Sequence, residues 1–322
     1  MVFDAVPEGL HPSSTLVATV HADDASERAV DLGYLTGGLD WRADYVATPG
    51  DAGRSLSLTG RAIVRNGSGT DYPNARIGLV AGEVNRVSAS PAQPRMRGEA
   101  TAMQADAAPP APLAPAALGA VYLYSLPALA SLADRQTRQF ALLATADLAV
   151  EQRHVSESIA EVYGHTDGEP RPTHPGTSLR FANPKADAGG LPLPAGIVRI
   201  YARDQNGAMR LLGEDRIADT PAGGMVALEA GAAFDITVTR RQTEFARADL
   251  PQGTIESVWL IQLANAKPEA VKVEVVETIP GDWTMLSETA KHEKLAADRV
   301  RWRLAVPAGG TATLEYRVRV RQ

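Results

Sequence analysis

Apolar side chains recur at every second position along much of the chain, which is the period of a β-strand that buries one face. In the stretch DWRADYVA, residues 40–47, one face carries Trp41, Ala43, Tyr45 and Ala47. The residues from Leu32 up to the Gly37-Gly38 pair resemble a preceding strand and a turn. The pattern therefore predicts a β-hairpin around these glycines.

The same alternation predicts further short strands downstream. Residues 55–87 contain two of them, separated by a turn-rich segment at Asn66–Asn74. Later strands are predicted at residues 177–182, 196–204, 208–217, 225–230 and 233–245. Short strands joined by turns, in a chain with 28 Gly and 22 Pro, are typical of an all-β protein. We interpret residues 1–88 as a β meander that forms one main β domain with residues 119–250.

The C-terminal residues 251–322 have the most regular alternation. Three strands each present one apolar face, formed by Val271, Val273 and Val275, by Val300, Trp302, Leu304 and Val306, and by Ala312, Leu314, Tyr316, Val318 and Val320. Turn signals lie between them at the spacing of an immunoglobulin-like module, so we place a domain boundary near Pro251. The predicted fold class is all-β, with an antiparallel β-sandwich body and a C-terminal immunoglobulin-like β-sandwich module.

Two segments depart from this pattern. Residues 89–118 are dense in Ala and Pro and poor in β-branched and aromatic side chains, which predicts a flexible loop or linker. Residues 127–151 are ambiguous, because Ala, Leu, Arg and Gln favour a helix while part of the segment can alternate as strands.

Composition and charge exclude several function classes. The formal net charge of −6, with arginines spread along the strands, gives no basic patch, so we expect no nucleic-acid partner. The absence of Cys excludes disulfides, thiolate metal sites and a thiol nucleophile. We find no transmembrane segment, no signal peptide in the chain as given, and no motif for a cofactor or a metal.

The glycines at the start of residues 189–214 raise the question of a phosphate-binding loop. Such a loop lies between a strand and a helix, so that backbone N–H groups converge on the anion. Here a strand follows the glycines, and Asn206-Gly207 supplies the positive φ values of a tight turn. We predict a hairpin, and we reject a calcium site at Asp204, Asn206 and Asp215 because a two-residue turn supplies too few oxygens.

The strongest candidate for a binding surface is Asp40-Trp41-Arg42-Ala43-Asp44. Asp40 and Asp44 would lie about 13 Å apart along a strand, beyond the roughly 5–9.5 Å used by paired glycosidase carboxylates. One interpretation is an exposed stripe of Asp40, Arg42 and Asp44 opposite a buried Trp41. A binding role for that stripe, with Trp41 stacking a sugar, stays open.

Other polar residues give weaker signals. Trp259, Trp283 and Trp302 are expected in a sandwich core, with Trp283 as the one that could instead form an exposed ligand platform. The only local histidine cluster is His165, Asp167, Glu169 and His174, which we interpret as a solvated loop. Ser68 in NGSGT is interpreted as a turn residue rather than a nucleophile.

Five ordered blocks carry a family likeness: YLTGGLDWRADYVA, NGSGTDYPNARIGLVAGEVNRV, PLPAGIVRIYARDQNGAMRLLGEDRIADTPAG, LEAGAAFDITV and TATLEYRVRVR. The chain resembles the bacterial domain of unknown function 4139 family across nearly its whole length. Members with longer N-termini are similar to proteins named mucoidy inhibitor A. Such proteins usually carry an export signal and further strands before this region, so it stays open whether Met1 is the native start.

The resemblance implies a periplasmic or cell-envelope β-protein, implies strands where residues 127–151 favour a helix by propensity, and implies no catalytic residues. Our first hypothesis is a non-enzymatic envelope protein that binds or scaffolds, with an envelope protein or a glycan as partner. The alternatives are a carbohydrate-active or other hydrolase that uses surface carboxylates, and a small-ligand or glycan-binding module. The oligomeric state stays open.

Overall fold

The computed structural model describes residues 17, 19, 21, 24, 26–27, 29–50, 53–83, 113–158, 170–247 and 253–321. These residues form nineteen β-strands and one short 3₁₀ turn at Ala186–Ala188, without an α-helix in the described ranges. The all-β prediction is confirmed.

The first nine strands are β1 (Leu39–Pro49), β2 (Ser55–Asn66), β3 (Tyr72–Ala75), β4 (Gly78–Ala81), β5 (Ala114–Leu118), β6 (Val121–Ser125), β7 (Ala130–Leu132), β8 (Thr137–Glu157) and β9 (Gly176–Ala182). The next five are β10 (Gly196–Arg203), β11 (Met209–Ile217), β12 (Met225–Ala232), β13 (Ile236–Ala246) and β14 (Thr254–Asn265). The last five are β15 (Val271–Thr278), β16 (Asp282–Glu288), β17 (Glu293–Lys294), β18 (Arg299–Val306) and β19 (Thr311–Arg321).

The strands assemble into one large sheet and three smaller ones. The large sheet has the order β11-β10-β1-β2-β8-β15-β18-β17, and β9 joins β8 on one side and β12 on the other. A second sheet has the order β13-β14-β19-β16, while β3 pairs with β7 and β6 lies between β4 and β5. The ladders with a resolved register are antiparallel, apart from the parallel pairing of β15 with β8.

The chain divides into two compact units. Unit 1 comprises residues 1–44, 59–144 and 194–196, and unit 2 comprises residues 45–58, 145–193 and 197–322. Strands β1, β2 and β8 each contribute residues to both units, and so does β10 through Gly196. Within unit 2, the sheet of β13, β14, β19 and β16 and the strands β15 and β18 contribute side chains to one core, which includes Ile261, Val273, Trp302 and Tyr316.

The immunoglobulin-like connectivity predicted for the C-terminal residues is not confirmed. In the immunoglobulin fold the last strand lies in the sheet opposite the first two strands. Here β19, the last strand, lies between β14 and β16 and is therefore in the same sheet as β14, the first strand within residues 251–322. The boundary near Pro251 stays a prediction, because residues 248–252 lie outside the described residues.

Two local predictions need correction. Residues 32–36 do not form the predicted strand before Gly37; they are irregular and exposed, and β1 begins only at Leu39. The hairpin between β10 and β11 is present. A positive φ was expected for both Asn206 and Gly207, but only Gly207 has one. The side chain of Asp204 organises the turn instead, accepting hydrogen bonds from the backbone N–H groups of Asn206 and Ala208, both at 2.9 Å.

The two segments that depart from the alternating pattern, residues 127–151 and 89–118, both contain strands in the described ranges. The segment 127–151 contains β7 and most of β8, as the family resemblance implied, because pairing with long-range partners overrides local helix propensity. Within the Ala/Pro-rich range 89–118, residues 89–112 lie outside the described residues. Its last six residues are described, and Ala114–Leu118 form β5, paired with β6.

Two buried asparagines, one in each unit, end a strand in the same way. Asn66 at the end of β2 accepts a hydrogen bond from the N–H two residues ahead and donates to the carbonyl four residues ahead, at 3.0 and 2.8 Å. Asn265 at the end of β14 repeats both bonds at 3.0 and 2.8 Å. The Asn66 amide also donates to the carbonyl oxygen of Leu132, and the Asn265 amide donates to that of Pro307. Both asparagines therefore fix turns by satisfying buried backbone groups.

We expect Gly38→Ala to destabilise unit 1. Gly38 has a φ of +80°, and a Cβ at this position would lie 2.5 Å from the carbonyl oxygen of Gly67, whose N–H donates to the carbonyl of Gly38. An alanine at position 38 would adopt a left-handed backbone conformation and clash with the backbone of Gly67. Together these effects should lower the free energy of unfolding by roughly 1–3 kcal/mol or more. Chemical denaturation of both variants measures this, with Gly37→Ala as the matched control because no atom lies within 4 Å of its Cβ position. Equal stability of the two variants would contradict the close approach.

Candidate ligand-binding site

Trp41 lies at the start of β1, where the alternating face passes from exposed to buried residues. Ala43, Tyr45 and Ala47 are fully buried as predicted, whereas Trp41 is only half-buried. Its indole Nε1 donates to the carbonyl oxygen of Val80 at 3.0 Å, and its ring centroid lies 6.4 Å from that of Tyr124. The tryptophan is therefore held at a fixed position while part of its surface stays accessible.

A pocket of about 290 Å³ opens beside Trp41, and we call it the Trp41 pocket. Its lining residues belong to unit 1: Leu39, Asp40, Trp41, Val64, Tyr72, Ala75, Arg76, Ile77, Gly78, Leu79 and Leu132. Val64, Leu79 and Leu132 are buried and give it an apolar floor. An apolar cavity with a few polar groups is the usual form of a small-molecule site.

Three polar side chains line the Trp41 pocket, two of them exposed and one with a buried hydroxyl. Asp40 and Arg76 are exposed, and neither makes a hydrogen bond or an ion pair with another residue that the structure describes. The Tyr72 hydroxyl is buried without a hydrogen-bond partner among the described residues. An unsatisfied buried hydroxyl costs roughly 1–3 kcal/mol, so a ligand oxygen that reaches it gains a hydrogen bond. One carboxylate, one guanidinium and one phenol therefore surround an apolar floor.

Arg42 and Asp44, the other predicted members of this stripe, do not line the Trp41 pocket. The Arg42 Nε lies 3.3 Å from an oxygen of Asp44, so the two side chains form an ion pair along β1. Only Asp40 and Trp41 of the predicted set meet in the Trp41 pocket. The described lining residues thus include one carboxylate, whereas glycoside hydrolysis uses a pair.

Trp283, the second predicted binding residue, lies on β16 in unit 2. It is half-buried and packs against the core, and its Nε1 donates to the carbonyl oxygen of Ala297 at 2.8 Å. The Lys294 ammonium lies 4.8 Å from the ring centroid and the His292 ring meets it edge-on at 5.7 Å. Trp283 therefore contacts the core, a cation and a second ring, and its binding role stays a prediction.

A family model described as Domain of unknown function (DUF4139) matches residues 30–322, which is nearly the whole chain. The chain belongs to this family. The resemblance found in the sequence blocks is thereby confirmed, and the family description assigns no activity to the DUF4139 domain. No curated protein and no solved structure matches the chain.

The other candidate groups named from the sequence of the DUF4139 domain include residues inside and outside the described ranges. Ser68 donates to Asn66 Oδ1 at 2.7 Å within the turn, as expected of a turn residue. His165, Asp167 and Glu169 lie outside the described residues. Within the described part of the chain, no group of three His, Asp or Glu side chains is placed to hold a metal ion, and no helix is long and apolar enough to cross a membrane.

A buried ion pair in unit 2 of the DUF4139 domain was not predicted from the sequence. Arg240 on β13 donates from Nε to a Glu277 oxygen at 2.9 Å and from Nη2 to the Ser156 carbonyl at 3.0 Å. Burial raises the pKa of the Glu277 carboxyl, while Arg240 and hydrogen bonds from Ser158 and Tyr316 oppose that rise. The pair joins β13, β15 and the end of β8 and therefore has a structural role.

A second charge cluster lies on β8, β15, β17 and β18. Glu274 pairs with Arg153, with Arg301 at 3.2 Å and with Arg303 at 3.7 Å, and both Arg301 and Arg303 reach Glu293 at 2.8 Å. Burial raises the pKa of the Glu274 carboxyl, but Arg153 and Arg301 outweigh it and hold the pKa below its usual value. These charges satisfy one another across neighbouring strands.

Proposed function

We propose that this DUF4139 domain is a non-catalytic binding protein of the cell envelope and that its Trp41 pocket holds one sugar residue of a glycan. The envelope location rests on the family resemblance. Fractionation of the source bacterium with an antibody against the chain tests it: recovery with the envelope or periplasmic fraction supports the location, and recovery with the cytosol contradicts it.

The observation that carries the proposal is the combination of surfaces around one cavity. The partly exposed ring of Trp41 offers an apolar face to the C–H face of a pyranose, which gains free energy from buried apolar area. Asp40 accepts hydrogen bonds, Arg76 donates them, and the Tyr72 hydroxyl does either. Sugar hydroxyls both donate and accept, so this set of groups matches them.

The size of the Trp41 pocket supports a single ring. Its volume of about 290 Å³ lies just below the roughly 300–1,000 Å³ of small-molecule pockets. A longer glycan would therefore place one residue in the pocket and leave its neighbours outside. A hydrolytic function has less support, because Asp40 is the one carboxylate among the described residues that line the pocket and such a site uses two.

Tyr72→Phe is the sharpest variant for this proposal. It removes only the unpaired hydroxyl, so we expect the free energy of unfolding to stay equal or to rise, since a buried unsatisfied group is lost. The same change should weaken sugar binding by about fivefold or more, the equivalent of one hydrogen bond. Ligand-observed NMR with a panel of mono- and disaccharides measures binding, and denaturant unfolding measures stability.

Two arginine variants complete the experiment. Arg76→Gln removes a lining cation and should weaken binding, whereas Arg65→Gln on the exposed side of β2 should leave binding unchanged, because Arg65 is not a lining residue. The proposal fails if no sugar of the panel binds, or if Tyr72→Phe and Arg76→Gln bind as well as Arg65→Gln.

A further inference from the structure

A second pocket lies in unit 2, and strands that follow one another around it supply its walls. From β8 the ladders lead in one direction through β2, β1 and β10 to β11, and in the other direction through β9 to β12. No ladder joins β11 to β12 among the described residues. The two strands nevertheless lie side by side, because the backbone N–H of Glu229 on β12 donates to the Asp215 carboxylate on β11 at 2.7 Å. Seven strands thus surround one space.

The pocket in this space, which we call the seven-strand pocket, has a volume of about 670 Å³. It is lined by residues from each of the seven strands and from the turn after β1: Thr48, Pro49, Gly50, Gly53, Ser57, Gln152, Leu179, Ile200, Ala202, Arg203, Met209, Leu212 and Ala230. A sheet that curves around on itself with about eight strands has room for side chains or for one small ligand. The volume falls within the range of small-molecule sites.

The lining of the seven-strand pocket is apolar at its floor and on one wall. Leu179 and Ile200 are buried at the floor, with 5% and 0% of their surface exposed. Met209 and Leu212 on β11 are 41% and 53% exposed although they line the same pocket. A ligand with an apolar portion that covers these side chains removes apolar surface from water, which favours its binding.

Among the described residues that line the seven-strand pocket, Arg203 is the one with a charged side chain. Its Nη1 donates to the Gly207 carbonyl at 3.2 Å, and it makes no ion pair with a carboxylate in the described ranges. The neighbouring Asp204 is already engaged by Arg210 at 3.0 Å. Arg203 therefore retains donors for one anionic group, and a guanidinium pairs with a carboxylate in a bidentate manner.

We propose that the seven-strand pocket binds a small amphiphile with one carboxylate and an apolar chain, of the kind that a medium-chain fatty acid represents. The chain lies against Leu179, Ile200 and Leu212, and the carboxylate pairs with Arg203. This site is independent of the Trp41 pocket, because the two linings share no residue.

Decanoate titrated into the full chain, followed by calorimetry and ligand-observed NMR below its micelle concentration, tests the proposal. We expect decanoate to bind the wild type and Arg203→Gln to weaken binding about tenfold or more, as expected for a lost charge-assisted pair. The matched control is Arg216→Gln, an exposed arginine of β11 that does not line the pocket and should leave the affinity unchanged. Decyltrimethylammonium, with the opposite charge, should bind far more weakly than decanoate.

Two further variants separate this proposal from general surface binding and from the sugar site. Ala230→Met adds volume within the seven-strand pocket and should also weaken decanoate binding, whereas Tyr72→Phe in the Trp41 pocket should have no effect on it. The proposal is overturned if decanoate does not bind, if Arg203→Gln and Arg216→Gln bind it equally, or if decyltrimethylammonium binds as tightly as decanoate.

Discussion

Replacement of Arg240 by Met is expected to lower the free energy of unfolding by about 3–5 kcal/mol, because it leaves a buried carboxylate without its partner. The Glu277 side chain is 5% exposed and its carboxylate lies 2.9 Å from the guanidinium. The double variant Arg240→Met/Glu277→Gln should recover most of that loss, since a neutral amide is far cheaper to bury than an unpaired charge. Urea denaturation of the four proteins in the cycle measures both effects.

The loss in Arg240→Met should also depend on pH in a defined direction. Burial raises the pKa of Glu277, and removal of Arg240 removes an interaction that lowers it. A pKa that is higher in the folded than in the unfolded state gives stability that is present at low pH and is lost as pH rises through the folded-state value. The variant should therefore approach the wild type in stability as the pH falls below neutral.

The control for this cycle is Arg199→Met. Arg199 pairs with Glu214 at 2.8 Å on the surface, where an ion pair contributes about 0–1 kcal/mol. If Arg240→Met costs no more than Arg199→Met, or if the double variant is no more stable than Arg240→Met alone, the buried pair does not have the role described.

The second large effect is expected for Trp302→Ala. Trp302 is fully buried, its ring stacks on Tyr316 with centroids 4.8 Å apart, and its Nε1 donates to Glu288 at 2.9 Å. Loss of a large core side chain of this kind costs about 3–5 kcal/mol. Thermal and urea denaturation should show a large loss of stability in unit 2.

Trp283→Ala is the matched comparison for Trp302→Ala. Trp283 belongs to the same core, but it is half-buried at its edge, so the cost of its removal should be well under that of Trp302→Ala. The stability loss of Trp302→Phe should lie between those of Trp283→Ala and Trp302→Ala. Phenylalanine keeps an aromatic ring in the core but cannot make the hydrogen bond to Glu288. A greater loss for Trp283→Ala than for Trp302→Ala would contradict the placement of the core.

The alternation of side chains was enough to predict most strands because a strand's period is a local property of the sequence. Ala43, Tyr45 and Ala47 follow it without exception, and so do the apolar faces of β18 and β19. The same reasoning was wrong at residues 32–36, where a short apolar stretch finds no partner strand and stays exposed. Alternation indicates a possible strand, and pairing decides whether it forms.

Strand order was beyond the reach of the sequence because it depends on contacts between distant residues. The parallel pairing of β15 with β8 joins His154 to Val273, far apart in the chain. The position of β19 beside β14 similarly separates this topology from the immunoglobulin order that the spacing of strands suggested. Turn signals indicate where strands end but carry no information on which strands become neighbours.

The candidate sites show the same limit. Asp40 and Trp41 were found because an aromatic residue beside a carboxylate is visible within one strand. Tyr72 and Arg76 were missed, since nothing in their local sequence indicates that they line the same pocket as Trp41. Arg203 lies within the strand predicted at residues 196–204, but that pattern does not indicate that its side chain lines a pocket with residues of six other strands.

The most direct test of sugar binding in the Trp41 pocket follows the tryptophan side chains themselves. The chain has four tryptophans, so a ¹⁵N-labelled sample gives few indole signals, and the one that disappears in Trp41→Phe belongs to Trp41. On titration with the tightest-binding sugar of the panel, we predict that the Trp41 signal moves to saturation while that of the buried Trp302 stays in place. Saturable binding that leaves the Trp41 signal unmoved would contradict the account.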